Sequence, residues 1–332
     1  MTIISKRSFS LGQITSWTHQ EWLEQSESSE KNRLMIGVSG YESRSSDWMR
    51  KTLPVLTPSK NNTYLILGFN DYQQDLNRPR NDEFYSEKGL SVLVSKDKGK
   101  EDLDVVKESI IACVAMSGET PVEVHVDYSS MPRSWYCNLP FVLSEAVRPR
   151  DKLFFWYTPG SYPETEYPTA GVKDFSVFSG RPSLNPGIRT HCLGLGFDRI
   201  RSHAIWSVLD PTNLVCFFAS PGTRSDYVDR VKRDNEDILS GANHVFAVDM
   251  RDFAHAYSRI AGVVREFHRL GDVILVPDGP KPLILASSLV PVVFGQPGIV
   301  CFHVSRRQNQ QSEPVNVEPS GPAYGFSFSV PE

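Results

Sequence analysis

The chain has 332 residues, which at a typical domain size of about 150 residues predicts two domains. Hydrophobic residues make up 40% of it and charged residues 22%, and these proportions exclude global disorder. Lysine and arginine number 35 against 39 aspartates and glutamates, so the net charge of −4 gives no global electrostatic reason to bind nucleic acid or an anionic membrane.

Cysteine spacing and hydropathy bear on the cellular environment. The five cysteines form neither a CxxC pair nor a zinc-ligand spacing with histidine, which predicts free thiols in a reducing compartment and no metal site. The first residues lack the apolar core of a secretory signal, and no run of about 18 apolar residues is present to span a bilayer. We therefore expect a cytoplasmic protein with no membrane attachment and no cofactor.

The first half alternates apolar runs with amphipathic segments, after a polar N-terminal stretch that predicts a short helix and a linker. The segment around Arg78-Pro79-Arg80 is predicted to be a surface loop, with a flexible lid over the edge of the first sheet as the alternative. The predicted elements are a strand beginning at Arg33, strands over Tyr64–Phe69 and Leu90–Val94, a helix over Leu103–Val114, a strand over Val122–Val126, a helix spanning Trp135 to Ala146, and a strand over Leu153–Tyr157.

The second half repeats this order. Its predicted elements are a strand beginning at Arg189, a strand over Leu214–Ala219, a helix over Ser225–Leu239, a strand over Val245–Val248, a helix over Phe253–Leu270, a strand over Val273–Val276, a helix over Pro282–Leu289, and a strand over Ile299–Phe302. Strands that are apolar on both faces and alternate with helices are typical of a parallel sheet covered by helices. The sequence thus predicts an α/β fold of two tandem doubly wound, Rossmann-like parallel-sheet domains related by internal duplication.

Each half ends in an alternating segment, Asp174–Phe178 and Tyr324–Val330, which predicts an edge hairpin or crossover strand. We expect each tail to stay with the half that it follows. The predicted division is therefore residues 1–32 as an N-terminal segment, 33–180 as the first lobe with its tail, 181–188 as a linker, and 189–332 as the second lobe with its tail.

The two halves resemble each other most closely after the first strand of each. There Gly40–Ser45 corresponds to Gly196–Ser202, and both contain an aromatic residue, an acid and an Arg-Ser pair. Because ligands of parallel sheets bind at the carboxyl ends of the strands, the charged residues here are candidate ligand contacts. They are Glu42, Arg44, Asp198 and Arg201. Alternatively, each acid pairs with its arginine and fixes the strand-to-helix turn.

A second pair of loops follows the fourth strand of each half. Asp127–Arg133 places two serines, a proline and an arginine after an aspartate, and Asp278–Pro282 places a glycine and a lysine there. Hydroxyls and free backbone amides at a helix start, beside a cation, suit a phosphate or carboxylate. The candidate ligand-binding residues are Ser129, Ser130, Arg133, Asp278, Gly279 and Lys281. Ordinary helix capping is the alternative.

These loops resemble those of the CRISPR-associated Rossmann-type (CARF) nucleotide-sensor family. In that family a ligand loop follows the first strand, and a later strand ends in an aspartate or asparagine, a serine or threonine, a glycine pair and a lysine before a helix. Asp127–Arg133 and Asp278–Pro282 occupy the corresponding place, although the first has no glycine pair and has Arg133 for lysine. The resemblance implies a pair of domains that binds a cyclic oligonucleotide across its interface, and a role in antiviral defence.

Three functions remain open at this point. One is a nucleotide- or phosphate-binding sensor or regulatory protein that holds its ligand in a composite cleft between the lobes, with Arg133 and Lys281 neutralising the ligand's charge. Another is an enzyme in the same cleft, a nucleotide-cleaving phosphodiesterase or transferase, with Asp127 as general base and Arg133 as charge stabiliser. The third is a non-catalytic subunit of a larger complex. It would dock a protein partner through the aromatic side chains of its tails, which are Phe175, Phe178, Phe326 and Phe328. Because the second-half loop is shorter and richer in proline, we expect unequal sites.

Overall fold

The computed structural model of the chain describes residues 11–26, 32–56, 62–95, 100–162, 172–183, 187–306 and 314–331. The chain divides into two compact units. We call the unit built on Ser10–Pro163 and Pro314–Glu332 the first lobe, and the unit built on Glu164–Glu313 the second lobe.

The predicted strands and helices are present in the predicted order. The helices predicted at Trp135 to Ala146 and over Ser225–Leu239 are each divided in two, and Arg78–Glu87 forms a helix that was not predicted. The first lobe contains β1 (Thr15–Thr18), α1 (His19–Ser26), β2 (Asn32–Ser39), a 3-10 helix (Ser43–Ser46), α2 (Asp47–Thr52), β3 (Asn62–Gly68), α3 (Arg78–Glu87), β4 (Val92–Val94), α4 (Lys100–Met116), β5 (Val122–Asp127), α5 (Arg133–Tyr136), α6 (Leu139–Ala146), β6 (Lys152–Tyr157) and β7 (Gly160–Ser161). The second lobe contains β8 (Val172–Arg181), β9 (Ile188–Leu195), α7 (Arg199–Leu209), β10 (Asn213–Ala219), α8 (Ser225–Asp234), α9 (Glu236–Gly241), β11 (His244–Val248), α10 (Phe253–His268), β12 (Gly271–Pro277), α11 (Lys281–Phe294) and β13 (Ile299–Arg306). The chain then returns to the first lobe with β14 (Glu318–Pro319) and β15 (Tyr324–Ser329).

Over the described residues, the five parallel strands of each lobe have the same order. The first-lobe sheet is ordered β1-β15-β6-β5-β2-β3-β4, and the second-lobe sheet β11-β10-β9-β12-β13-β8. In each, five strands are parallel, with the first strand of the half in the middle, the second and third on one side, and the fourth and fifth on the other. This confirms the predicted α/β class with two doubly wound, Rossmann-like sheets. A shared order of this kind is what an internal duplication produces.

Each tail lies in the sheet of the other half. β8 follows the first half in sequence but pairs antiparallel with β13, and β15 follows the second half but pairs antiparallel with β6. The division therefore differs from the predicted one. The linker assigned to 181–188 begins at the end of β8, its residues 184–186 lie outside the described residues, and residues 314–331 belong to the first lobe.

Aromatic stacking accounts for the place of β15. The rings of Phe326 and Phe328 stack on Phe155 of β6 with centroid distances of 5.2 and 6.0 Å. Both rings are 1% exposed, and burying two phenylalanines stabilises the fold by roughly 2–3 kcal/mol each. Because an alternating segment fits any open sheet edge, its sequence does not specify which edge it covers.

The N-terminal segment is part of the first lobe rather than a separate piece. β1 pairs antiparallel with β15, and α1 buries Trp22 within the core that includes Trp48 and Trp156. The predicted short helix is present as α1, while residues 1–10 and 27–31 lie outside the described residues.

The prediction of a surface loop at Arg78-Pro79-Arg80 is wrong, because these residues begin α3. Arg78 is 1% exposed and donates from Nη1 to the carbonyl of Phe69 at 2.6 Å. Pro79 fits the first turn of a helix, where its missing N–H costs nothing, and the buried rings of Phe84 and Tyr85 hold the helix on the sheet.

The five cysteines are buried and unbonded to one another. Among the helices of the described ranges, none combines the length and apolar character needed to cross a bilayer. Within the same ranges, no group of three or more histidine, cysteine, aspartate or glutamate side chains is arranged to hold a metal ion.

Candidate functional site

In the first lobe the loops that follow β2 and β5 meet at the carboxyl edge of the sheet. The hydroxyl of Ser45 donates to Ser130 Oγ at 2.9 Å, and Ser130 Oγ donates to Glu42 Oε2 at 3.1 Å. Glu42 and Ser130 are both partly exposed, whereas Ser45 is buried. The structure therefore brings together two of the predicted ligand residues, one from each loop.

Arg44 lies beneath this pair and is 1% exposed. Its Nε donates to Glu42 Oε2 at 2.6 Å, and its Nη1 donates to the Tyr157 hydroxyl at 3.3 Å. Burial lowers the pKa of the guanidinium, but Glu42 and the nearby hydroxyls of Tyr162 and Tyr157 outweigh it and raise the pKa well above its usual value. Arg44 thus fixes the loop by the local pairing that was the alternative to ligand contact.

Asp127 and Ser129 are buried and join β5 to β6. Asp127 Oδ1 accepts from the backbone N–H of Ser129 at 3.0 Å and from its hydroxyl at 2.5 Å, and Ser129 Oγ accepts from the N–H of Thr158 at 2.7 Å. Asp127 is 1% exposed and Ser129 is fully covered. Because both side chains are used inside the fold, the structure removes Ser129 from the ligand surface and Asp127 from the position of an accessible general base.

Arg133 is the first residue of α5 and is partly exposed. Pro132 precedes it with φ −68° and ψ 155°, the extended backbone typical of a residue that begins a helix. α5 is a single turn, too short for a substantial helix dipole. The positive charge at this position is therefore that of the Arg133 guanidinium itself, and the predicted contribution of a helix terminus is small.

Asn81 of α3 holds the loop that follows β2, which contains Glu42. Asn81 was not identified from the sequence as part of the site. Its Nδ2 donates to the carbonyls of Gly40 at 2.9 Å and Glu42 at 3.0 Å, and its Oδ1 accepts from Ser46 Oγ at 2.6 Å. In the second lobe Asn235 Nδ2 donates to the carbonyl of Gly196 at 3.1 Å. The signal was present, because each asparagine precedes two acidic residues at the corresponding place in the repeat.

The charged residues of the second lobe are committed to the fold. Arg201 Nε lies 2.9 Å from Asp278 Oδ1, and Arg201 Nη2 donates to the carbonyl of Val304 at 2.6 Å. Asp198 caps α7 by accepting from the N–H of Arg201 at 3.1 Å. Arg201 and Asp278 are 2% and 8% exposed. These three predicted ligand residues act as internal ties, because their charges are compensated within the lobe.

Two glycines close the second-lobe loops onto each other. A Cβ atom on Gly196 would lie 2.6 Å from the carbonyl oxygen of Asp278, and one on Gly279 would lie 2.9 Å from that of Leu195. Glycine is required where backbones approach this closely. Lys281 begins α11 after Pro280, as Arg133 follows Pro132, but no serine lies between Asp278 and Pro280 in the second-lobe loop.

A pair of tyrosines flanks the first-lobe site. The rings of Tyr41 and Tyr72 meet edge to face with a centroid distance of 5.4 Å, and both are partly exposed. Burial, with Glu42 nearby, raises the pKa of the Tyr41 hydroxyl to about 12, so the ring is neutral at physiological pH. The two rings provide an aromatic surface beside Glu42.

The predicted partner-docking side chains of the tails are buried to different degrees. Phe326 and Phe328 are buried in the first lobe. Phe175 packs against the core of the second lobe, and Phe178 meets the His303 ring at 5.6 Å. Phe326 and Phe328 are therefore covered within the first lobe, whereas Phe175 and Phe178 are only partly buried, and docking of a protein partner through them stays a prediction.

A cavity of about 390 Å³ lies on the second lobe between α10 and α11. Tyr257, Arg265 and Phe294 contribute to its lining, and the Arg265 guanidinium lies 5.4 Å from the centre of the Phe294 ring. None of the predicted site residues borders it, and it lies away from the carboxyl edge of the sheet.

No protein-family model and no curated protein sequence matches the chain. Solved structures match weakly. The cytoplasmic domain of a prokaryotic cation chloride cotransporter is 9% identical, with 86% of this chain and 98% of that chain covered and a TM-score of 0.24. A protein described as a universal stress protein from Pseudomonas aeruginosa UCBPP-PA14 is 10% identical, with 81% and 92% covered and a TM-score of 0.23. One described as a sarcosine dimethylglycine methyltransferase from Galdieria sulphuraria is 10% identical, with 94% and 84% covered and a TM-score of 0.24. TM-scores this low identify neither family nor function, and the fold is assigned from the strand order above.

Proposed function

We propose that the protein is a nucleotide- or phosphate-binding regulatory protein whose ligand lies at the carboxyl edge of the first-lobe sheet. The observation that carries this proposal is the hydrogen bond from Ser130 Oγ to Glu42 Oε2 at 3.1 Å. These residues follow β5 and β2, the adjacent strands between which the strand order reverses. Ligands of doubly wound sheets bind at that point.

The partly exposed groups around this point match the parts of a nucleotide. Arg133 supplies positive charge for a phosphate, and the Ser130 hydroxyl supplies a hydrogen-bond donor. Glu42 accepts hydrogen bonds from ribose hydroxyls, as it does from Ser130 in the structure. The rings of Tyr41 and Tyr72 offer an aromatic surface for a base, and base–aromatic stacking contributes about 1–3 kcal/mol.

Binding without turnover is favoured over catalysis. The best candidate for a general base, Asp127, is 1% exposed and already accepts two hydrogen bonds from Ser129. A general base must reach the proton that it removes. A sensor or regulatory subunit is also what the CARF-like loop pattern implies, including its association with antiviral defence.

The second lobe is proposed to have lost the site. Its Arg201–Asp278 ion pair uses the charges of the loop region, its loop backbones approach each other too closely for a Cβ atom, and no serine follows Asp278 before the helix begins. The duplication then leaves one binding lobe and one lobe with a structural or transmitting role.

The test uses the full chain and two matched variants, Arg133→Ala and Lys281→Ala. Each removes the partly exposed cation that follows a proline at the start of the helix, in one lobe or the other. Calorimetry and thermal shift are measured with ATP, AMP, inorganic pyrophosphate and cyclic oligoadenylates. Chromatography of the same mixtures follows any turnover.

We expect at least one phosphate compound to bind and stabilise the wild type. Arg133→Ala should weaken the affinity for that compound by roughly tenfold or more, and Lys281→Ala should leave the affinity unchanged. Equal losses in the two variants would contradict the assignment to the first lobe. Product formation by the wild type, abolished in Arg133→Ala, would favour the phosphodiesterase or transferase alternative instead.

A further inference from the structure

Residues 314–320, which we call the strap, run across the loop that follows β2 in the first lobe. The side-chain oxygen Oδ1 of Asn316 accepts a hydrogen bond from the backbone N–H of Ser43 at 2.9 Å. The same oxygen accepts from Nδ2 of Asn77, which precedes α3, at 3.0 Å. One amide oxygen of the strap thus satisfies donors from the loops after two neighbouring strands.

The next strap residue continues these contacts. The carbonyl oxygen of Val317 accepts from Ser43 Oγ at 3.2 Å and from the N–H of Arg44 at 3.3 Å. Its side chain is 4% exposed and covers Gly160, where any Cβ atom would overlap Val317 Cγ1. In all these hydrogen bonds the strap supplies the acceptor and the loop supplies the donor.

Two further contacts fix the strap beside β7. Glu318 pairs with Ser161 in the short β14–β7 ladder, and the N–H of Ser320 donates to the carbonyl of Pro159 at 2.8 Å. The strap is therefore held by a handful of hydrogen bonds and one buried valine. Attachments of this size open locally without unfolding of a lobe.

The strap adjoins the proposed ligand site. In sequence it lies between β13 of the second lobe and β15 of the first lobe. Ser43 and Arg44, which it covers, directly follow Glu42. After the strap the chain enters β15 of the first lobe, and before it the chain comes from β13 of the second lobe through 307–313, which lie outside the described residues.

We propose that the strap is an autoinhibitory closure of the first-lobe ligand site, and this rests on the proposed function of that site. The amide and backbone oxygens of Asn316 and Val317 take the donors that the oxygens of a phosphate group use when ligand is bound. A phosphate is the stronger acceptor because its hydrogen bonds are charge-assisted. Ligand binding therefore lifts the strap.

The test compares a variant that opens the strap with one that locks it. Asn316→Ala removes the shared acceptor oxygen and leaves the backbone unchanged. The pair Ser161→Cys and Glu318→Cys replaces register partners of an antiparallel ladder, whose spacing suits a disulfide. Because the native cysteines are all buried, the new pair is oxidised selectively. Asn316→Asp is the matched control, since it keeps an acceptor at the same position.

Hydrogen exchange of residues 314–320 and calorimetry with ATP and inorganic pyrophosphate give the two readouts. We expect Asn316→Ala to speed exchange in the strap and to tighten ATP binding roughly tenfold, the equivalent of one or two hydrogen bonds no longer broken on binding. Asn316→Asp should bind no more tightly than the wild type. The oxidised cysteine pair should lose binding, and reduction should restore it.

The outcomes separate the two proposals. If the wild type binds ATP and neither opening nor locking the strap alters the affinity, the closure is wrong and the proposed function stands. Binding that appears only in Asn316→Ala supports both. If no probe binds to the wild type or to Asn316→Ala, whose strap exchanges faster, both proposals fail, because the opened site then has no affinity for phosphate.

Discussion

The guanidinium of Arg201 and the carboxylate of Asp278 form a buried ion pair in the second lobe, with a distance of 2.9 Å between Nε and Oδ1. Counting side-chain atoms alone, Arg201 is 3% exposed and Asp278 is 5% exposed. The pair joins α7, the helix that follows β9, to the loop after β12 at the carboxyl edge of the sheet.

Breaking this ion pair should destabilise the second lobe. Asp278→Ala leaves the Arg201 charge buried without its counter-ion, and we expect a loss of about 3–5 kcal/mol in the free energy of unfolding. Urea denaturation, followed by hydrogen exchange in β9 and β12, measures this loss. The double replacement Arg201→Met with Asp278→Leu should cost less than Asp278→Ala alone, because it leaves no unpaired charge. If the loss of unfolding free energy in the double variant equals the sum of the losses in Arg201→Met and Asp278→Leu alone, the two side chains are not coupled. The ion pair is then not the source of the effect.

The buried asparagines should each stabilise the loop that they hold. Asn81→Ala leaves the carbonyls of Gly40 and Glu42 without this donor, and we expect it to cost about 1–3 kcal/mol. Asn235→Ala should cost a similar amount through Gly196. The control is Asn70→Ala, an exposed position. Chemical denaturation measures all three, and equal effects at Asn70 and Asn81 would contradict the role assigned to Asn81.

The exchange of tails predicts which lobe each tail stabilises. Phe326→Ala should destabilise the first lobe by about 3–5 kcal/mol, because it opens a cavity against Phe155. Tryptophan fluorescence reports the first lobe, because five of the six tryptophans lie in it and only Trp206 lies in the second lobe. Phe178→Ala in β8 is the control and should leave the fluorescence transition unchanged. If Phe326→Ala instead speeds hydrogen exchange in β13 and spares β6, the observed pairing is wrong.

Acid should weaken the attachment of the N-terminal segment through His19. Burial, together with the positive charge of Lys51 and the neighbouring His125, lowers the pKa of His19 from 6.5 to about 4. His19 Nε2 lies 2.9 Å from Thr52 Oγ1, and that hydroxyl donates to the carbonyl of Trp48, so His19 is the donor. Because burial penalises the charged imidazolium, the neutral ring is the form that fits the folded lobe.

A lowered pKa in the folded state means that the unfolded chain binds the proton first. The stability that His19 contributes is complete above pH 6.5 and declines as the pH falls towards 4, by up to about 3 kcal/mol. Melting temperatures of the wild type and His19→Gln between pH 7.5 and 4 test this. The variant should lose less stability than the wild type over that range, and parallel curves would count against His19 as the titrating group.

Hydrophobic periodicity in the sequence was sufficient to predict the alternating strands and helices and the duplicated doubly wound fold. Both depend on local patterns, since a strand such as Leu153–Tyr157 is apolar on both faces wherever it lies in the chain. The carboxyl-edge location of Glu42 and Ser130 also followed, because parallel strands bring their loops to one edge.

Three features were decided by tertiary structure alone. An alternating tail such as Tyr324–Val330 fits any open edge, so only the complete set of edges places it on β6. An arginine in a loop motif is chemically the same whether it meets a ligand or a carboxylate, so only packing showed that Arg44 and Arg201 are buried. The strap contact of Asn316 joins residues 273 positions apart, and no periodic pattern encodes a pairing over that separation. Local propensities are properties of short segments, whereas partners are chosen by the free energy of the whole assembled chain.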